Sequence, residues 1–228
     1  MAITPVIADM NHANSVNFAE LATANIWGVI HKARQGVSFG DPAYQSRQIL
    51  AKQAGFLWAA YDFATGDDVA TNVANFLTYA KLGPQDGAWL DFEDNAASQM
   101  SGDEAYEFLD RVSQQLGRAC GIYGGNRIRE QIDAQAAKWI DMAKVAPLWQ
   151  CRYIKGQPAD VAALWALVPP IPPWKANTII QYTGDGAGPA PHTVPGLENG
   201  ADLNVFNGNR DQLAAIWPGP APAGAATA

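Results

Sequence analysis

A chain of 228 residues has room for one large domain, and an α/β barrel commonly fills that length as a single unit. Hydrophobic residues make up 48% and charged residues only 16%, a balance that excludes extensive disorder. Fifteen Lys and Arg against 22 Asp and Glu leave a net charge of −7, which argues against nucleic acid and obliges any anionic polymer to be held by short-range contacts.

Along the chain, short apolar runs alternate with helical patterns. The opening MAITPVIADMNH has no basic segment followed by an apolar stretch, so the expectation is synthesis in the cytoplasm without a signal peptide. No run approaches membrane-spanning length, and no membrane insertion is expected. Eight runs read as strands: 5–9, 26–31, 55–61, 87–93, 120–125, 146–151, 177–182 and 201–206. Their starts lie about 20 to 33 residues apart, the length of one strand–helix unit in a parallel α/β sheet. Eight such units predict a closed, TIM-like barrel.

Helix signals fill the first half. Asp41-Pro42 reads as N-cap and first-turn proline of a helix ending near Gly55. Residues 67–82 and 126–143 also read as helices. Ser101 and Glu104 form a capping box before Tyr106, Leu109, Val112 and Leu116, with Gly117 as the stop. Five prolines within 156–176 and the Gly/Pro-rich stretch 183–200 predict long loops with at most short helices. About five main helices should therefore cover the first five strands, leaving the last three poorly covered. A single catalytic domain is expected over 1–217 and a disordered Pro/Ala-rich tail over 218–228.

Cys120 should open one strand and Cys151 should lie near the end of another. They would sit at different heights in the sheet, so no disulfide is expected.

The strand GAWLDFEDN carries the most chemistry. Strand alternation puts Leu90 and Phe92 under the outer helices and Trp89, Asp91 and Glu93 inside the barrel. Two buried carboxylates are costly unless they reach the solvated mouth at the carboxyl ends of the strands. Like charges this close hold one proton on the pair, which permits general acid catalysis beside an ionised partner. Glycoside cleavage needs that division of roles. Asp9 ends the first strand and Asp202 opens the last, so the two can meet across the closing seam. Tyr61, Tyr123, Trp149 and Tyr182 lie near strand ends as candidate walls of a sugar groove, joined there by Asp62 and Lys32. His12, just past Asp9, is a further candidate for the groove.

The ordered set VIAD, HKARQG, AGFLWAAYDF, WLDFE, GIYGG, PLWQCRY, IIQYTGDG and ADLNVFNG resembles the glycoside hydrolases of family 25, the muramidase-type lysozymes of phages and bacteria. The resemblance spans roughly residues 5–210. It implies an eight-stranded barrel with five main helices and hydrolysis of the bond from N-acetylmuramic acid to N-acetylglucosamine in peptidoglycan. It assigns the acid role to Glu93. Asp91, Asp9 and Asp202 would support the cationic transition state, position the substrate or tune Glu93. Gln181 and Tyr182 in IIQYTGDG join the substrate-binding candidates. The implied setting is a phage or prophage lysin acting as a monomer on a glycan strand of the wall after release. Two departures stand out. Asp62 occupies the place where the family usually has His, and MNHANSV replaces the usual small-residue and Gln-Gly signature after the first Asp.

Two other classes fit parts of the pattern. A non-catalytic glycan-binding barrel would be free to lose Glu93, yet all four acids are present. A metal-dependent hydrolase would need ligands that three histidines without H-x-x-H or H-x-H spacing do not supply. No metal and no cofactor is expected, and no G-x-S-x-G elbow points to a nucleophilic serine.

Overall fold

The computed structural model describes residues 3–96, 98–198 and 200–220. Eight strands close into a barrel: β1 (Ile7–Met10), β2 (Gly28–Gln35), β3 (Leu57–Phe63), β4 (Gly87–Asp91), β5 (Gly121–Gly124), β6 (Leu148–Cys151), β7 (Ile179–Thr183) and β8 (Asp202–Val205). Strands β1 to β7 pair in parallel in chain order. Strand β8 pairs with both β7 and β1 and closes the ring, running antiparallel to each. The expected parallel sheet is corrected at this strand. A parallel neighbour needs a crossover along the outside of the barrel, whereas an antiparallel one needs only a returning loop. The Gly/Pro-rich connection from β7 is that loop. It carries one short strand, Leu197–Glu198, paired with Ser15–Val16.

The helices are α1 (Phe18–Leu21), α2 (Tyr44–Gln53), α3 (Val69–Ala80), α4 (Gly102–Leu116), α5 (Asn126–Gln131), α6 (Ala137–Val145), α7 (Val161–Leu167) and α8 (Arg210–Ile216). The α4 capping box forms as read, and Gly117 ends the helix at φ 66°. Three details differ from the expectation. Helix α2 starts at Tyr44, because Asp41 accepts from the Ala43 N–H and also ties down the His12 backbone N–H. The helix expected over 126–143 breaks into α5 and α6, since the Asp133 side chain takes the Gln135 N–H and turns the chain. Strand β1 is followed only by the one-turn α1. Short α7 fits the expected thin cover of the later strands. Cys120 is buried, and both cysteines are free.

Apolar residues fall into two layers. Leu90, Phe92, Ile122, Leu148 and Ile180 pack outward against the helices. Ile7, Ile30, Ala59, Trp89, Trp149 and Ile179 fill the lumen. Trp217 and Leu213, from the end of α8, join the lumen cluster, and the Trp217 Nε1 donates to the Trp58 carbonyl at 2.7 Å. A methyl on Gly28, where β2 begins, would lie 2.6 Å from the Trp217 ring, so this tryptophan plugs the amino ends of the strands. Polar chemistry is left to the other mouth. At the chain end, Pro220 accepts from the Ala119 N–H, and residues 221–228 of the expected tail lie outside the described residues.

Candidate active site

Four carboxyl groups gather at the carboxyl ends of the parallel strands. Asp9 and Asp91 point inward near the ends of β1 and β4, and both are buried. Glu93 follows β4 by two residues and is half-buried. Asp202 is register partner of Asp9, because β8 begins where β1 ends. The four are close enough to act on one another. Burial raises the Asp9 pKa well above normal, and the charges of Asp202, Asp91 and Glu93 push it further. Asp91 is raised by burial and then by Glu93, with Lys32 pulling back. Burial and then Asp185 lift Asp202 to about 7. Glu93 is raised by burial, opposed by Tyr123 and reinforced by Asp94 and Asp185. Protons are thus retained here well above the ordinary carboxylate range.

A hydrogen-bonded chain fixes Asp9. Its Oδ2 accepts from the Asn204 amide at 2.7 Å and the Gln181 amide at 3.3 Å. Asn204 in turn accepts from the Trp149 Nε1 at 2.6 Å. Gln181 Oε1 accepts from the hydroxyls of Tyr123 and Tyr153. Asp91 differs: its Oδ1 is buried and has no hydrogen-bond partner among the described residues.

Of the expected wall residues, Tyr61, Tyr123, Trp149, Gln181 and Lys32 lie on the lumen side with the acids. Trp149 and Gln181 are fully covered, so they support the site from behind and offer no surface to a sugar. The Tyr123 and Trp149 rings pack with centroids 4.3 Å apart. Lys32 lies with its ammonium 4.5 Å from the Phe63 ring centroid, and burial lowers its pKa.

Two candidates are corrected. Asp62 and Tyr182 each sit one residue from an inward-facing neighbour, so strand alternation turns them outward, away from the acids. Asp62 is fully buried beside α3, where it accepts from the Asn72 amide at 2.9 Å. Tyr182 packs in the outer core with its hydroxyl on the Pro191 carbonyl. His12 stands against Asp41 at 3.0 Å and beside the Phe39 ring.

Asn204 was not among the expected residues, since an Asn inside a strand carries no local mark of its partner. Tyr153, 38% exposed, lines a cleft of about 470 Å³ together with Glu93, Asp94, Arg127 and Arg152.

Residues 8–190 match the family described as Glycosyl hydrolases family 25. This chain belongs to that family. The fold is that of a bacterial lysozyme from Streptomyces coelicolor, with TM-score 0.75 and 20% identity, over 95% of this chain and 97% of the other. It is also similar to a muramidase from Trichobolus zukalii, with TM-score 0.72 and 23% identity over 92% and 97% of the two chains. A third similar structure is the catalytic domain of endolysin ply40 from bacteriophage P40 of Listeria monocytogenes. It gives TM-score 0.68 and 19% identity over 94% and 98%. No curated protein matches the family 25 chain described here. Among its described residues no helix is long and apolar enough to cross a membrane.

Proposed function

We propose that this family 25 enzyme hydrolyses the glycosidic bond between N-acetylmuramic acid and N-acetylglucosamine in peptidoglycan, acting on the wall after release from the cell that makes it. The observation that carries this reading is the set of four mutually coupled carboxyls at one barrel mouth, with Glu93 alone among them lining the open cleft.

Glu93 is the general acid. Its raised pKa keeps the proton available, and its position on the cleft lets it reach the oxygen linking two sugars. As that bond lengthens, positive charge grows on the sugar ring. An approaching cation lowers the pKa of every nearby carboxyl. Whichever of Asp9, Asp91 and Asp202 are ionised put negative charge beside that ring and stabilise the transition state. Asp9 is held by Asn204 and Gln181, so no reorganisation is needed when charge develops.

Glu93→Gln keeps the shape of the side chain and removes the transferable proton. It should still sediment with purified cell walls while reducing-end release drops roughly 10²- to 10⁴-fold, the usual contribution of a general acid. Release near the parent rate overturns the assignment of Glu93.

A further inference from the structure

Resting on the muramidase reading, we propose that Arg152, backed by Arg127, forms an anion-binding wall of the cleft beside Glu93. That wall takes a carboxylate borne on the 3-O-lactyl arm of a muramic acid residue.

The two arginines share the cleft with Glu93 but are in different states. The Arg127 side chain is committed: its guanidinium donates to the Met100 carbonyl at 2.7 Å and pairs with Asp94 at 3.3 Å. It also sits 5.5 Å from the Phe92 ring centroid. Arg152 is exposed, and its guanidinium makes no hydrogen bond or ion pair among the described residues. Two guanidinium groups thus line the cleft beside Glu93 in a chain whose net charge is −7.

Arg127 has Asp94 as its counter-charge whereas Arg152 has none among the described residues, and an anion held in the cleft supplies one. The planar fork of Arg suits a carboxylate. This placement also answers a difficulty posed by the acids. A carboxylate-bearing sugar brought to a chain of net charge −7 is repelled unless a cation meets it. Only the muramic acid units of peptidoglycan carry the lactyl arm, so a cation fixed on one wall also selects which sugar lies beside Glu93. On a unit that bears a peptide the lactyl carboxyl is consumed in an amide, so the carboxylate is one of that peptide; on a unit without peptide it is that of the lactyl group itself.

The test compares wild type, Arg152→Gln and Arg152→Lys on three substrates by initial rates of reducing-end release. The substrates are intact peptidoglycan, the same material with its carboxyls blocked as methylamides, and glycan stripped of peptide so that the lactyl carboxyl is free. On intact material Arg152→Gln should raise KM about three- to ten-fold with kcat little changed, the range for a partly exposed charged contact. Arg152→Lys should fall between. On the blocked material wild type should itself lose affinity and converge on the glutamine variant. A penalty that vanishes on stripped glycan assigns the peptide carboxylate alone, and one that persists there shows that a freed lactyl carboxyl takes its place. Equal KM ratios on intact and blocked material, or a wild type indifferent to blocking, overturn the proposal. A wild type that frees no reducing ends from any of the three overturns the muramidase reading instead.

Discussion

Asp9 and Asp202 face each other across the seam that closes the barrel, one near the end of an outgoing strand and the other at the start of a returning one. In a wholly parallel barrel those residues would lie at opposite mouths. Reversal of the last strand brings the fourth carboxyl to the site and places Asn204, two residues further along, within 2.7 Å of Asp9. The gathering of the four carboxyls depends on this reversal.

Asn204 is the residue through which β8 holds Asp9. Asn204→Leu removes the donor to Asp9 and the acceptor for Trp149, both fully buried partners. Stability should fall by about 2–4 kcal/mol. The kcat for glycan cleavage should fall about 10- to 100-fold with a smaller change in KM, because the lost interaction serves the charge that develops in the transition state. Thermal melts and steady-state kinetics on the same preparation check both.

In the proposed role Glu93 must be protonated to act, so activity should decline as pH rises through its raised pKa. Asp185 is exposed and adds to that rise. Asp185→Asn removes one negative charge and lowers the Glu93 pKa, which moves the alkaline limb of the kcat/KM profile to lower pH. The backbone at Asp185 has φ 50°, a conformation that Asn tolerates well. The displacement should be a few tenths of a pH unit at low ionic strength and should shrink with added salt. Profiles at two salt concentrations give the answer.

Asp62 has no place in the cleft, yet it shapes stability. Burial lifts its carboxyl to about 8, against partial relief from Asn72, Arg34 and Lys32. The folded chain therefore binds this proton more tightly than the unfolded chain between about pH 4 and pH 8. Its contribution is complete below the unfolded value and is lost as pH rises through 8. Asp62→Asn cannot ionise. The variant should match the parent near pH 4 and melt progressively higher above it, since each pH unit between there and pH 8 costs the parent up to about 1.4 kcal/mol. A set of melts from pH 4 to 9 measures it.

Gly121 opens β5 where the Trp89 ring crosses the lumen. A methyl there would lie 2.2 Å from Cζ3 of that ring. Trp89 meets Trp149 edge-on at 5.7 Å, and Trp149 packs on Tyr123. Gly121→Ala should cost about 1–3 kcal/mol from overpacking and lower kcat through the displaced Tyr123. Denaturant unfolding together with kinetics separates the two effects.

Much of this architecture is written into residue order. Alternation in WLDFE sends Trp89 and Asp91 inward and Leu90 and Phe92 outward, as found, because a strand has no other way to divide its side chains. The same parity places Asp62 and Tyr182 outside, and proximity to a strand end does not override it. What the order of residues does not encode locally is direction. ADLNVF reads alike whether β8 runs with its neighbours or against them, so the Asp9–Asn204 contact stays invisible until the barrel closes. The break between α5 and α6 is similarly hidden, for it depends on one Asp133 side chain capturing one backbone N–H. Arg152 shows no periodic signal at all. Its interest arises from lacking a partner at a place that only the folded chain defines.

The most direct measurement digests purified peptidoglycan with the wild-type enzyme, reduces the products with borohydride and identifies the sugar alcohol at the new ends. Muramitol alone is the expected product, since the cleaved bond leaves muramic acid with the free anomeric carbon. Glucosaminitol in its place, or no new reducing ends, contradicts cleavage of that bond by Glu93 and its three neighbouring carboxyls.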